Sequence, residues 1–368
     1  MGAPRARSVQ YPHSIWWIAL RFIHPTICHC IDDHGILPAV TLELSGGGRF
    51  VRKWLCIMSP SDAHEIRQRA LRALAGNRNP GYHFAGHFLD LQCRRFEAGE
   101  VVFELEPGPH CVDPDGAMNL GALLLFADMA LSASTRLYVA SSARTATLCL
   151  RVEFTGVPAC GLLRAEAKSD GFSPHTALAQ AACEGTISAA GTEVVRMSGI
   201  WVAPPAPEGR ALDPLPWERK DAAPVTTLAP AQLDALEKNV MRRVGQAMRA
   251  PHGGFPRSLW EPAVRHTPRG AASRLAVGMH VGNRVGHVQG GLMLYAALAT
   301  AVGAVPHHPL LTAASAWFIS PGQGKALTSR STVLQKGRNV AVVRTEVFAT
   351  GGKRVLEAVS NHAIAARP

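Results

Sequence analysis

Residues 119–134, NLGALLLFADMALSAS, read as one almost wholly apolar helix whose only ionisable side chain is Asp128. An unpaired carboxylate on the inward face of a buried helix costs several kcal/mol, roughly 2–7 for polar desolvation alone. Such an acid is ordinarily paired, protonated or catalytic. A second stretch, QGGLMLYAALATAV at 289–302, has the same layout and no acid at all. The asymmetry predicts one working site built from two unequal halves.

The two stretches belong to a longer repeat. Adding 170 to Asp113, Gly116, Asn119, Leu120, Gly121 and Asp128 gives Asn283, Gly286, Gln289, Gly290, Gly291 and Leu298, with no gap. Downstream, TLCLRVEFTGVPACGLLRAEAKS with Phe154 corresponds to ASAWFISPGQGKALTSRSTVLQKG with Phe318, after a connection six residues shorter. Both alternate apolar and polar residues between Gly/Pro turns, the period-two signal of half-buried antiparallel strands. Each half therefore reads as strand, loop, buried helix and several strands. The predicted central helices run from Gly121 to about Tyr138 and from Gly290 to about Ala304.

A chain of 368 residues ordinarily divides into two or three units, and 47% hydrophobic with 18% charged residues supports globular cores rather than disorder. The stretch 203–224, APPAPEGRALDPLPWERKDAAP, holds six prolines and a charge cluster and reads as a semi-rigid linker. It divides the chain into domains at 58–203 and 226–368, joined by 204–225. Residues 1–57 do not resemble the rest and are expected to lie outside the fold, so that a chain beginning at Met58 folds and acts unchanged. From there MSPSDAHEIRQRALRALAG reads as a Ser-initiated amphipathic helix.

Several function classes are set aside on composition. The net charge of +11 allows nucleic acid, but the arginines are scattered and no basic run appears, so none is expected. The same excess suits a small polyanion such as coenzyme A. SIWWIALRFI at 14–23 is too short to span a bilayer and contains Arg21, and no membrane anchoring is expected. The CHC triplet at Cys28–Cys30, with Asp33 and His34 nearby, lacks the spacing of a zinc module, and no metal site is assigned. Eight cysteines without a pairing pattern, none in the second half, point to a reducing cytoplasm.

The order strand, N-x-x-G-x-x-H-G-G loop, buried helix with an internal acid, then a strand near a Pro-containing turn resembles the hotdog-fold acyl-CoA thioesterases of the phenylacetyl-CoA (PaaI-type) branch. The resemblance covers about residues 80–202 and 255–364. NRVGHVQGG at 283–291 carries it best, with Gln289 where that family usually has His; DPDGAMNLG at 113–121 is weaker. Asp128 follows Asn119 by the nine residues that separate loop His and acid in the family. The implied fold is α+β: a tandem double hotdog, two antiparallel sheets each wrapped around a central apolar helix.

The resemblance implies that the two sheets join and that the site straddles the halves, with Asn283, Gln289 and Gly290 from the second and Asp128 from the first. The substrate would be an acyl-CoA thioester, with coenzyme A part of the substrate and no separate cofactor. A homodimer of such chains is a possible assembly. Gly290 would supply a helix-N-terminal amide for the developing oxyanion. Gln289 would hydrogen-bond the same oxygen or hold the loop, Asn283 would orient water or the carbonyl, and Thr147 aligns with a family Ser/Thr that positions the attacking water. Asp128 would act as general base or as nucleophile. Gly291, Lys336 and Arg338 are candidate contacts to coenzyme A.

The residues leave other readings open. Asp128 could be a structural acid paired with Arg136 or Arg151, Asn283 a turn former and the LQKGRN tip at 334–339 merely solvated. Asp113, Asn119, Leu120 and Leu298 would form a silent counterpart in which Leu298 faces Asn119. Two other activities compete with hydrolysis: a non-catalytic acyl-CoA binder or scaffold, and a hotdog enoyl-CoA hydratase. Asp170-x4-His175 has the hydratase spacing, but it falls at a turn between strands rather than on the central helix.

Overall fold

The computed structural model describes residues 58–79, 82–97, 99–173, 175, 177–206, 211–218, 225–250 and 254–365. The expectations for the first 57 residues, including Cys28, Cys30 and the effect of truncation at Met58, fall outside these. The first half opens with α1 (Pro60–Asn77) and α2 (Phe84–Leu89), then β1 (Gln92–Glu97) and β2 (Glu100–Leu105). After a loop come α3 (Leu120–Arg136), β3 (Ala146–Phe154), β4 (Leu163–Ser173), β5 (Gln180–Ala189) and β6 (Thr192–Val202). The second half repeats this order as α4 (Ala235–Met248), α5 (Gly254–Trp260), β7 (Ala263–Thr267), β8 (Gly270–Ala276), α6 (Gly290–Ala304), β9 (Leu310–Phe318), β10 (Ala326–Lys336), β11 (Val340–Phe348) and β12 (Arg354–Ala363).

Local chemistry sets the boundaries. Ser59 caps α1 by accepting the Asp62 amide at 3.0 Å, and Pro60 sits in the first turn where no amide is needed. The helix over 120–136 begins one residue earlier than the sequence reading, because the Asn119 side chain caps it through the Gly121 amide at 2.8 Å, and ends two earlier, with Leu137 as its C-cap. Gln289 caps α6 in the same way through the Leu292 amide at 3.0 Å.

The repeat is visible in the loops. The bridge Val112↔Met118 before α3 recurs as Gly282↔Val288 before α6. Gly116 and Gly286, with φ of 81° and 79°, occupy the same left-handed turn position, where a Cβ would be strained. His110 and His280 are buried at equivalent places, a pairing at the same 170-residue offset.

All strand pairs are antiparallel, in the order β1-β2-β4-β5-β6-β3-β9-β12-β11-β10-β8-β7. The expected two sheets are thus one continuous sheet, joined where Cys149–Glu153 of β3 pairs with Ala313–Trp317 of β9. α3 lies across β2, β4, β5 and β6, and α6 across β8, β10, β11 and β12. Each central helix is wrapped by its half of the sheet: a tandem hotdog. The helices touch at Gly291, where any Cβ would collide with the Leu124 carbonyl.

The linker is more than a spacer. Ala206, Leu212 and Leu215 are buried, Trp217 stacks edge-on against Phe103 at 5.0 Å, and Glu218 forms a largely buried ion pair with Arg136 at 3.1 Å. Its apolar residues at 212, 215 and 217 hold the described part of it against the first half.

Candidate active site

Asp128 projects from the middle of α3 and is 5% exposed. No cation pairs with it among the described residues: Arg136 is bound to Glu218 and Arg151 to Glu153. Three neutral donors surround the carboxylate instead. Thr147 at the start of β3 donates its hydroxyl to Oδ1 at 3.0 Å, Gln289 donates Nε2 to Oδ2 at 2.5 Å, and the Gly291 amide donates as well. Burial outweighs these donors and pushes the carboxyl up from the ordinary aspartate range to about 6. The acid therefore exchanges its proton near neutral pH, in the range suited to general-base work.

The loop opposite comes from the second half. Asn283 spends its side-chain oxygen on the Val285 and His287 amides, both at 3.0 Å, so it shapes the loop as a turn former although it also borders the cavity. Of the first amides of α6, that of Met293 reaches the Gln289 carbonyl, that of Leu292 the Gln289 side chain, and that of Gly291 Asp128. Among the described residues nothing claims the Gly290 amide, which lies in the first turn of α6, where amides have no intrahelical partner. A Cβ at Gly290 would lie 3.0 Å from both carboxylate oxygens, so only glycine leaves room there for a reacting group.

A cavity of about 310 Å³ opens onto this cluster. Met129, Met293, Trp201 and Phe318 supply apolar wall, and His83, Arg144, Arg284 and His287 supply polar wall. Arg144 has a buried Nε with no hydrogen-bond partner among the described residues, and desolvation lowers its pKa. Its charge also helps to lower that of His287, after the larger effect of burial. Arg284 donates to the Asp213 carbonyl of the linker at 2.7 Å. A larger depression, about 890 Å³, lies on the outer sheet face, where ion pairs such as Arg164–Glu166 and Lys168–Glu184 satisfy one another. It presents a solvated charge ladder rather than a reactive group.

The sequence reading named Asp128, Thr147, Asn283, Gln289 and Gly290, and the fold brings all five to this cavity. The three candidate coenzyme contacts fall elsewhere. Gly291 is buried in the helix crossing with its amide on Asp128, so it is closed to a coenzyme. Lys336 and Arg338 lie at the β10–β11 hairpin and do not border the cavity, because β10 carries them away along the sheet. Asp170 and His175 sit at the end of β4 and the turn after it, also outside the cavity.

The pseudo-symmetric counterpart is filled differently from the sequence reading. Leu298 is buried, but Tyr295, one turn earlier on α6, is what reaches Asn119 and occupies the space beside Gly121. Asp113 accepts from Asn119 Nδ2 at 3.0 Å and pairs with Arg257 at 3.2 Å, while Tyr295 also bonds Glu261. Tyr295, Arg257 and Glu261 were missed because α5 has no marked motif and Tyr295 reads as one more apolar helix residue. His83, Arg144 and Arg284 were missed for a similar reason: each stands alone in sequence and becomes part of a site only in three dimensions. Among the described residues no group of three or more His, Cys, Asp or Glu could hold a metal ion, the described cysteines are free thiols, and no helix is long and apolar enough to cross a membrane.

No protein-family model matches the sequence, and no curated protein does. Solved structures do resemble it. The 12:0-ACP thioesterase of Umbellularia californica aligns over 73% of this chain and 95% of its own, at 11% identity and a TM-score of 0.47. A conserved protein of unknown function with a hot dog fold from Alicyclobacillus acidocaldarius aligns over 76% and 97%, at 13% identity and 0.45. The tesB protein of Mycobacterium avium subs paratuberculosis aligns over 76% and 97%, at 12% and 0.44. A likeness this distant says nothing of activity, which rests on the site itself.

Proposed function

We propose that the chain hydrolyses an acyl-CoA thioester to the free acid and coenzyme A at the single composite site around Asp128. The observation that carries the reading is a buried carboxylate, raised to about 6 and held by three neutral donors, beside Gly290 at the N-terminus of α6, whose amide has no partner among the described residues. With the thioester carbonyl against the Gly290 amide, the amide and the dipole of α6 stabilise the oxyanion. Ionised Asp128 then takes a proton from attacking water, or attacks the carbonyl itself to give an anhydride that water opens; in either route the C–S bond breaks, coenzyme A leaves as the thiolate, and the proton taken from water ends on the thiolate or on solvent. Thr147 and Gln289 fix its orientation.

The apolar wall suits the acyl chain. Arg144, whose Nε has no partner among the described residues, is given the role of binding a phosphate of the carrier. Arg144→Ala should raise KM with little change in kcat.

The direct test is a panel of short, medium, long and aryl acyl-CoAs assayed by thiol release. Turnover abolished by Asp128→Asn supports the reading. Binding of the panel with no thiol release by the intact protein would leave the non-catalytic binder instead.

A further inference from the structure

Internal comparison of the two halves isolates one more residue. Asp128 corresponds to Leu298, and Thr147, by the Phe154–Phe318 alignment, to Leu311. His83, at the start of α2, corresponds to Gly253. The acid, the hydroxyl and the imidazole are thus all present on one side, and the sequence has Leu, Leu and Gly at the three matching positions. A histidine serving only to cap a short helix has no reason to follow the acid in this way.

The geometry agrees. His83 is the N-cap of α2 and borders the cavity that holds Asp128, Gln289 and Gly290. Its Nδ1 accepts the Gly86 amide at 3.1 Å, which makes Nδ1 the unprotonated nitrogen and leaves the proton on Nε2. Among the described residues none accepts from that Nε2–H. Gly86 has no side chain because a Cβ there would meet the His83 ring at 2.6 Å and Met129, the neighbour of Asp128, at 2.9 Å. The ring is thereby seated between α2 and the acid-bearing turn of α3. Burial, and then the charges of His87 and Arg284, hold the ring neutral, with a pKa of about 3. It is a hydrogen-bond donor at working pH, not a proton shuttle.

We propose that His83 is a further catalytic residue of this site, its Nε2–H donating to the substrate's thioester carbonyl oxygen within the cavity that His83 and Gly290 both border. The assignment rests on the thioesterase reading and completes an oxyanion site of two neutral donors, one from each half of the chain. No proton is transferred by His83: the hydrogen bond strengthens as the carbonyl carbon becomes tetrahedral and relaxes when the thiolate leaves.

The test separates the two ring nitrogens. In His83→Asn the amide oxygen reaches the Nδ1 position and keeps the cap on Gly86, but nothing replaces Nε2–H. In His83→Gln the amide nitrogen reaches the Nε2 position and restores the donor, at the expense of the cap. The expected result, for the acyl-CoA best turned over by the unmodified protein, is that His83→Asn lowers kcat on the order of a hundredfold with KM and melting temperature little changed, as loss of one oxyanion donor does. His83→Gln should recover a substantial part of kcat despite a lower melting temperature. The reverse pattern, Asn active and Gln impaired, would show a structural cap and overturn the proposal while leaving the thioesterase reading intact. Absence of thiol release from the unmodified protein across the whole panel would remove both.

Discussion

At the scale of single residues, the site turns on how a carboxylate is held without a cation. Thr147 and Gln289 each lower the pKa of Asp128 against the opposing effect of burial, so removing either should raise it further. The pH profile of kcat/KM is expected to show an acid limb near pH 6 in the unmodified protein, with activity present above it and lost below. In Thr147→Val that limb should move to higher pH, because the ionised form loses a donor. A limb that stayed in place would mean that another group titrates. Asp128→Asn should lower kcat on the order of a hundredfold or more, the usual contribution of a general base. Asn119→Ala, at the filled counterpart, removes an N-cap and should cost about 1 kcal/mol of stability with turnover unchanged.

At the scale of elements, two adjacent glycines at the start of α6 do different work. Gly290 faces the carboxylate, where an added methyl would lie 3.0 Å from both oxygens and crowd the reacting groups. Gly291 faces the backbone of α3, where an added methyl would meet the Leu124 carbonyl. Gly290→Ala is therefore expected to lower kcat at nearly unchanged melting temperature. Gly291→Ala should lower the melting temperature itself, because two helix backbones must separate and overpacking of this kind costs about 1–3 kcal/mol or more. Calorimetry beside steady-state kinetics on the two variants checks the contrast. Equal loss of stability in both would mean that Gly290 also belongs to the crossing.

At the scale of the whole molecule, the two halves are held by one sheet, one helix crossing and a linker laid over the first half. The Arg136–Glu218 pair ties that linker to the end of α3, with side-chain exposures of 5% and 16%. Glu218→Ala would leave the buried Arg136 without its partner and should destabilise the chain by about 3–5 kcal/mol, read from denaturant unfolding. Acid sensitivity also belongs to this scale. Burial lowers His83, His110 and His280 from 6.5 to about 3 each, so the unfolded chain takes up their protons first. Their contribution to stability is intact above about pH 6.5 and is lost as pH falls toward 3. Asp128, raised from 3.8 to about 6, acts in the opposite direction, its cost relieved as pH falls through that interval. With His362 also lowered, to about 4, the histidines outweigh the single acid and should leave unfolding midpoints lower at pH 5 than at pH 7.5, with a smaller difference in His110→Phe.

The repeat, the two central helices, the antiparallel strands and the isolated acid were all legible in the sequence. Each is written in local periodicity or in residues at a constant offset, and a carboxylate in an apolar helix marks itself by its desolvation cost. The asymmetry between the halves was legible for the same reason, since Asp128 has no counterpart at Leu298; that the site straddles the halves was what the family resemblance implied, and residues of both halves border one cavity. Tertiary structure decided what depends on contacts between distant segments. It put His83 and Arg144 at the cavity, took Lys336 and Arg338 away along the sheet, turned Gly291 into a packing contact and filled the second site with Tyr295 rather than Leu298. Those outcomes depend on which loop of one half lies over which helix of the other. Sequence spacing within either half does not encode that geometry, because it is set by the packing of the two halves across a shared sheet.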